Sequence, residues 1–440
     1  MRGLGPFTSS TSTSSMVITI PHEIVDCILD NLQEAETLSN CALVQKSWAV
    51  SAQRGLFRHL SFGSSNRSLT VAQSQNATIE RVKHLIEIFE TKPYLASCVR
   101  TLELTYYRSE HDLSTQLVSF IIPLVEQLRN VNSLILSSCN WGSLCLELRR
   151  ALMHLLSQPS LIRLILSGVY GFSNMDEVFA LLSLGSNLKT LKIMTVSYGD
   201  RVSFTEDTIP VPHENHPRSI QLDQSLLLGY HAAAYITWFQ QVSCPFEIRN
   251  LRCLHIGMEK TPDEWLAWML QYIGENLQEL TLSGLLDQPS TSVHVSHTPN
   301  LRSLVAIDDI DSLQKGKSNT LPWILNFFRC IPESDVQVGS SLVQLSIDIR
   351  CWQSSQGFNR RHMINQLDGW TALDTLFTER RFDSLELIDI NLLADSYLPM
   401  LKKFRKVILG KMPLLKDSGK LEVNSFLYTD DDMYDELLAD

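Results

Sequence analysis

The sequence predicts an α/β fold: a compact N-terminal group of three helices, then an irregular repeat array whose strands form a curved parallel sheet with outer helices. Three observations carry this. Segments from Val99 onward repeat an LxxLxL-like spacing, which in a strand turns alternate leucines to one face. The intervals between segments have room for a strand and a returning helix. Apolar residues at helical spacing fill those intervals and also the stretch from Ile20 to Phe62.

Residues 1–15 are Ser/Thr-rich with a single Arg and no continuous apolar core, so a disordered start without a secretory signal is expected. Residues 16–62 are the first unit. Pro21 suits the first helical position, and the Glu23 carboxylate suits the positive end of the helix dipole. Ile24, Val25, Ile28, Leu29 and Leu32 then form one apolar stripe. A second helix is expected near Thr37, as N-cap, carrying Leu38, Cys41 and Ala42; a third aligns Trp48, Ala52 and Leu56. So short a segment cannot bury all of these alone, which implies that it docks on something.

Residues 63–96 read as a polar linker from Gly63 to Ala77, then a helix from Ile79 to Glu90 with Val82, Leu85, Ile86 and Phe89 inward. The repeat domain spans 97–415. Its segments are VRTLELT, VNSLILS, LIRLILS, LKTLKIM, LRCLHIG, LQELTLS, LRSLVAI and LVQLSID, with a looser ninth, FDSLELIDI from Phe382. Leu102, Leu134, Leu164 and Leu191 follow one another at 32, 30 and 27 residues, and Leu254 to Leu280 is 26. Outer helices are expected around Leu117, Ile121, Leu124, Val125 and Leu128, and around Val178, Leu181 and Leu182. The 63-residue interval from Leu191 to Leu254 predicts an insertion with a helix from Gln224 to Gln241; another helix is expected from Trp323 to Phe328. The repeat core is expected to end near Pro413, and residues 416–440 to form an acidic, solvated tail.

With the leucines inward, the residues between them line an open face where a repeat protein holds a partner. That candidate target-binding face comprises Glu103, Arg163, Lys192, His255, Glu279, Asp348 and Glu386; it is mixed in sign and names no ligand. Catalytic signatures are lacking: there is no GxSxG, GxxxxGK[ST], HExxH or strand-borne GxGxxG. The expectation is therefore a non-enzyme without cofactor or metal. His213 and His216 are read as loop histidines, as are His294 and His297. Cys41, Cys139 and Cys253 are expected as small core residues.

A net charge of -11 without a long basic run argues against nucleic acid as a partner. Nine cysteines without CxxC pairs suit reduced thiols in a cytoplasmic or nuclear protein. The most apolar windows fall well short of the roughly 20 residues that span a bilayer, so no membrane association is expected.

Ile20-Pro21 followed by Glu23-Ile24, and Val44-Gln45-Lys46-Ser47-Trp48, resemble the F-box, the adaptor-binding module of cullin-RING ubiquitin ligases. Ile20 stands where that family usually has Leu, and Gln45 where it often has Cys. The resemblance implies that Ile20, Pro21, Ile24, Leu43, Val44 and Trp48 pack into a groove on a small helical adaptor. TKPYLASCVRTLEL from Thr91 and WTALDTLFTERRFDSLELIDI from Trp370 resemble the leucine-rich-repeat-like region of fungal F-box-like proteins, here divergent in lacking Asn at the usual ladder positions. The function so implied is that of an SCF substrate receptor, with adaptor and target protein as partners. The alternative is a leucine-rich-repeat scaffold, capped by the N-terminal helices, that binds protein without ubiquitin transfer.

Overall fold

The computed structural model of the protein describes residues 20–32, 34–63, 71–105, 115–197, 218–229, 231–257, 263–284, 293–309, 320–329, 341–351, 369–394 and 398–427. Three helices come first: α1 (His22–Asp30), α2 (Ala35–Val44) and α3 (Lys46–Phe57). The strands are β1 (His59–Phe62), β2 (Thr101–Thr105), β3 (Ser133–Ser137), β4 (Arg163–Ser167), β5 (Thr190–Met194), β6 (Ile220–Gln221), β7 (Gln224–Leu228), β8 (Phe246–Glu247), β9 (Cys253–Gly257), β10 (Glu279–Ser283), β11 (Ser303–Asp309), β12 (Gln344–Cys351), β13 (Leu387–Ala394) and β14 (Leu421–Leu427). All but β6 and β8, which pair with each other, form one 12-stranded sheet in chain order. Every neighbouring pair is parallel, from β1–β2 to β13–β14.

The register explains the leucine spacing. Leu102, Leu134, Leu164 and Leu191 stand side by side across β2 to β5, and Leu254, Leu280, Leu304 and Leu345 do so across β9 to β12. Two residues on, Leu104, Leu136, Leu166 and Ile193 make a second row. Both rows face the main core, where they meet the inner sides of helices such as Val71–Thr91, Leu146–Leu156 and Thr320–Arg329. Burying each such side chain contributes about 1.5–3 kcal/mol. Of the expected inward residues, Val82, Leu85 and Phe89, then Ile121, Leu124 and Val125, then Val178, Leu181 and Leu182, are buried, whereas Ile86 is only partly buried against the core.

A second, polar row accompanies the leucines. Four residues before the first inward position, Asn130, Asn187, Asn276 and Asn300 donate their side-chain amides to the carbonyls of Ser97, Pro159, Arg249 and Glu275, at 3.1, 2.9, 3.0 and 2.9 Å. Ser160 and Ser384 do the same with hydroxyls, to Arg129 and Leu342. These six units are thus bonded to the one before by side chain as well as by strand, at positions other than those of the usual asparagine ladder.

Several boundaries differ from expectation. The interval from Leu191 to Leu254 contains strand β7, so Gln224–Leu228 is extended and only Ala232–Gln240 is helical. Ser225 occupies the inward row between Leu191 and Leu254, which interrupts the leucine pattern there. Residues 59–62, assigned to the N-terminal unit, pair with β2 as the sheet's first strand. The sheet also continues beyond Pro413: a short helix, Pro413–Asp417, leads to β14, inside the stretch expected as tail. Buried Asp374 fixes that helix by accepting hydrogen bonds from the backbone N–H groups of Leu414 and Leu415, at 3.1 and 2.8 Å. The expected linker overlaps helix Val71–Thr91. The loosest repeat aligns on Ile388 and Ile390, since Ile388 pairs with Leu345 and Ile390 with Ile347.

Candidate functional site

The α1–α3 segment has a small core of its own. Val25, Leu29, Leu38 and Ala52 are buried together, with Leu32, Cys41, Ala42, Trp48 and Leu56 packed around them. Pro21 is the N-cap of α1, one residue before the first helical position expected for it. Helix α2 starts at Ala35, so Thr37 lies in its first turn, where its hydroxyl donates to the Glu34 carboxylate. Asp26 ties α1 to α3: it accepts from the Ser51 hydroxyl and lies 4.0 Å from Arg54 Nη1. A Cβ at Gly55 would meet Leu38 Cδ2 at 3.0 Å, so α2 and α3 approach closely where α3 carries no side chain.

What this core leaves out matters more. The stripe on α1 divides: Val25 and Leu29 turn inward, whereas Ile20, Ile24 and Ile28, four residues apart, are 44%, 51% and 54% exposed. At the end of α2, Leu43 is 85% and Val44 67% exposed. Gln45, extended at φ -154, separates α2 from α3 and leaves those two side chains outside the bundle. Of the six residues singled out on α1–α3, Ile20, Pro21, Ile24, Leu43 and Val44 are exposed, and Trp48 is partly buried against the small core.

On the sheet, strand alternation places Glu103, Arg163, Lys192, His255, Glu279 and Asp348 on the face opposite the main core. Glu386 is a correction, since it precedes β13, where its N–H donates to the Val343 carbonyl at 2.8 Å. The face has three parts. At one end Glu103 accepts from His59, 3.2 Å away, and this hydrogen bond holds its carboxyl below the ordinary range against the opposing effect of burial. In the middle Ile135, Ile165, Met194 and Leu226 form a buried apolar cluster edged by Leu228, which the reading of the face as mixed in charge had missed. At the far end Asn391 donates to Ser346, Asp348 and Asp389, and Asn424 to Asp389, in a polar network. Burial pushes Asp348 up, with the Asn391 bond acting against it.

Between the apolar and polar parts stands His255. Burial, and then the positive charges of Arg350 and Lys192, push its pKa down to about 3, so the ring is neutral. Its Nε2 is out of contact with solvent and has no hydrogen-bond partner among the described residues.

Cys139 is buried in the main core and its thiol is pushed up to about 12 by burial; Cys41 packs against the α1–α3 core. Cys253 departs from expectation: it sits on the open face and its thiol lies 3.4 Å from the Glu279 carboxylate. His213 and His216 lie outside the described residues. His294 and His297 have ring centroids 5.7 Å apart. Among the described residues no group of three or more His, Cys, Asp or Glu is placed to hold a metal ion, and no helix is long and apolar enough to cross a membrane. No family model matches the chain, and no curated protein matches it.

Proposed function

We propose that the chain is a substrate receptor of an SCF-type cullin-RING ubiquitin ligase, in which α1–α3 act as an F-box on the adaptor and a leucine-rich-repeat-like domain holds the target protein. One observation carries this reading: Ile20, Ile24, Ile28, Leu43 and Val44 lie uncovered on a segment whose own core is already closed. Exposed apolar side chains grouped on so small a unit suit an interface. Of the motif residues quoted for the F-box resemblance, Ile20, Pro21, Ile24, Leu43 and Val44 are exposed, which supports the reading, while Trp48 is partly buried against the small core. Target binding is assigned to the polar ends of the sheet face opposite the main core, on either side of an apolar cluster that is itself buried. The chain itself performs no chemistry on this reading; it raises the effective concentration of a target lysine at the ligase by linking two binding surfaces.

Co-purification from cells tests it with Ile24→Asp and Leu43→Asp, both of which change side chains outside the small core. Wild type should recover the adaptor, and each variant should lose at least tenfold of it while staying folded. Recovery by none of the three, or equally by all, defeats the proposal.

A capping role is the second reading. It is favoured by the Tyr94 hydroxyl donating to Gln53 on α3 at 2.9 Å, and by Phe57 packing on Phe89 with ring centroids 5.8 Å apart. Deletion of residues 16–57, which spares β1, separates the two. A cap takes much of the sheet's stability with it, whereas a docking module leaves the rest folded and unable to recruit the adaptor.

A further inference from the structure

The end of the sheet carries a charge arrangement that adaptor and target binding leave unused. Helix Leu398–Lys411 turns Leu401, Phe404 and Ile408 into the core and presents Lys402, Lys403, Arg405 and Lys406 to solvent. These four cations recur at i, i+3 and i, i+4 spacing, where like charges repel. The helix contains no Asp or Glu, and none of the four forms an ion pair among the described residues. From 398 to 420 there are seven Lys and Arg and one Asp, within a chain whose net charge is -11. Immediately beyond β14, residues 428–440 hold Asp430, Asp431, Asp432, Asp435, Glu436 and Asp440 and no Lys or Arg.

The topology brings the two together. Ala394, at the end of β13, pairs with Leu427, at the end of β14, and the helix starts at Leu398, four residues after Ala394. The chain therefore leaves the sheet near the helical turn that opens into the cationic stretch. Thirteen residues span up to about 43 Å when extended, whereas the 14-residue helix is about 21 Å long. We propose that residues 428–440 dock on the exposed basic face of helix Leu398–Lys411 of the same chain. A tether this short gives an effective concentration in the millimolar range, so the linked carboxylates outcompete dilute anions. The surface is thereby reserved: an acidic segment of another protein gains it only by displacing the tail. This proposal does not depend on the ligase reading.

Carbodiimide crosslinking of the full-length chain, mixed 1:1 with isotope-labelled copies, tests the contact. The Lys83–Glu80 pair, 2.8 Å apart, is the internal positive control. Crosslinks from Lys402, Lys403 or Lys406 to tail carboxylates are expected within one isotopic copy, falling at least tenfold at about 1 M salt, where charges are screened within about 3 Å. A chain ending at Leu427 should be retained more strongly than the full chain on a polyglutamate matrix, and Lys402→Glu with Lys406→Glu in that shortened chain should abolish the gain. Control crosslinks without tail-to-helix crosslinks overturn the proposal, as do crosslinks between labelled and unlabelled copies, which would make a second molecule the occupant. Equal retention of the full and shortened chains overturns it too.

Discussion

In the large sheet, every strand from β2 to β13 except β7, where Ser225 takes the first place, turns two apolar residues into a core that leaves them almost no exposed surface, from Leu102 and Leu104 to Ile388 and Ile390. In α1–α3 four residues close a core, and six large apolar side chains of the same segment, Ile20, Ile24, Ile28, Leu43, Val44 and Val50, remain outside it. The two regions are built from similar residues, so composition does not separate them. Geometry does. A strand in a parallel sheet has a neighbour on each side and a helix across its face, whereas three short helices have too little surface to cover all of their own apolar stripes. Where burial is complete, a side chain's contribution is to stability; where it stops short, the side chain is available to another molecule.

Leu280→Ala should sharpen this contrast most. Leu280 is fully buried between Leu254 and Leu304, and truncation there leaves a cavity as well as losing apolar transfer energy, about 2–5 kcal/mol in all. Urea denaturation followed by far-UV circular dichroism reads it as a lower midpoint. A loss below about 1 kcal/mol would mean that the sheet core can collapse around the change, and the difference between the two regions would weaken.

His255→Leu gives the next effect, and it depends on pH. The folded-state pKa of about 3 lies below the ordinary 6.5, so between these values the unfolded chain binds the proton that the folded chain refuses. The associated stability is fully present above about pH 6.5 and is lost as pH falls toward 3. The leucine variant, which extends the neighbouring Leu226 cluster, should therefore lose less stability than wild type across that window, by on the order of a few kcal/mol. Parallel acid limbs for the two proteins would show that the ring is not held neutral in the open face.

Much of this architecture was legible because leucine spacing and strand pairing obey one period. Leu102, Leu134, Leu164 and Leu191 align in space as they align in sequence. Strand β7 escaped notice because Ser225 takes the place of the first leucine, while Leu222 and Leu227 keep the others. β1 offers only Leu60 and Phe62, and β14 lacks the leading leucine, so neither edge strand announces itself locally. The polar ladder was hidden because its Asn and Ser residues precede the leucine motif. On the candidate docking surface, periodicity located the α1 stripe but not its division, which is settled by how α3 packs across Val25 and Leu29. Ser225 also makes a prediction. Its buried hydroxyl has no hydrogen-bond partner among the described residues, an uncompensated desolvation, so Ser225→Ala should raise stability by about 1 kcal/mol, seen as a higher urea midpoint. A drop would mean that the hydroxyl is bonded after all.

Leu43→Ser should have the smallest effect on stability and tests the comparison from its other side. Leu43 is 85% exposed and absent from the cluster that closes the α1–α3 core, so its truncation removes little buried area and should stay within about 0.5 kcal/mol of wild type. The substitution keeps a helix-compatible residue near the end of α2, where the neighbouring Val44 is also exposed. Thermal melting of wild type and variant side by side gives the measurement. A cost near that of Leu280→Ala would show Leu43 sealed against some other part of the chain, and the apolar flank of α1–α3 would then already be occupied. A near-zero cost leaves an apolar side chain held in water by a folded helix at no benefit to the fold, which is the condition a docking residue must meet before its partner arrives.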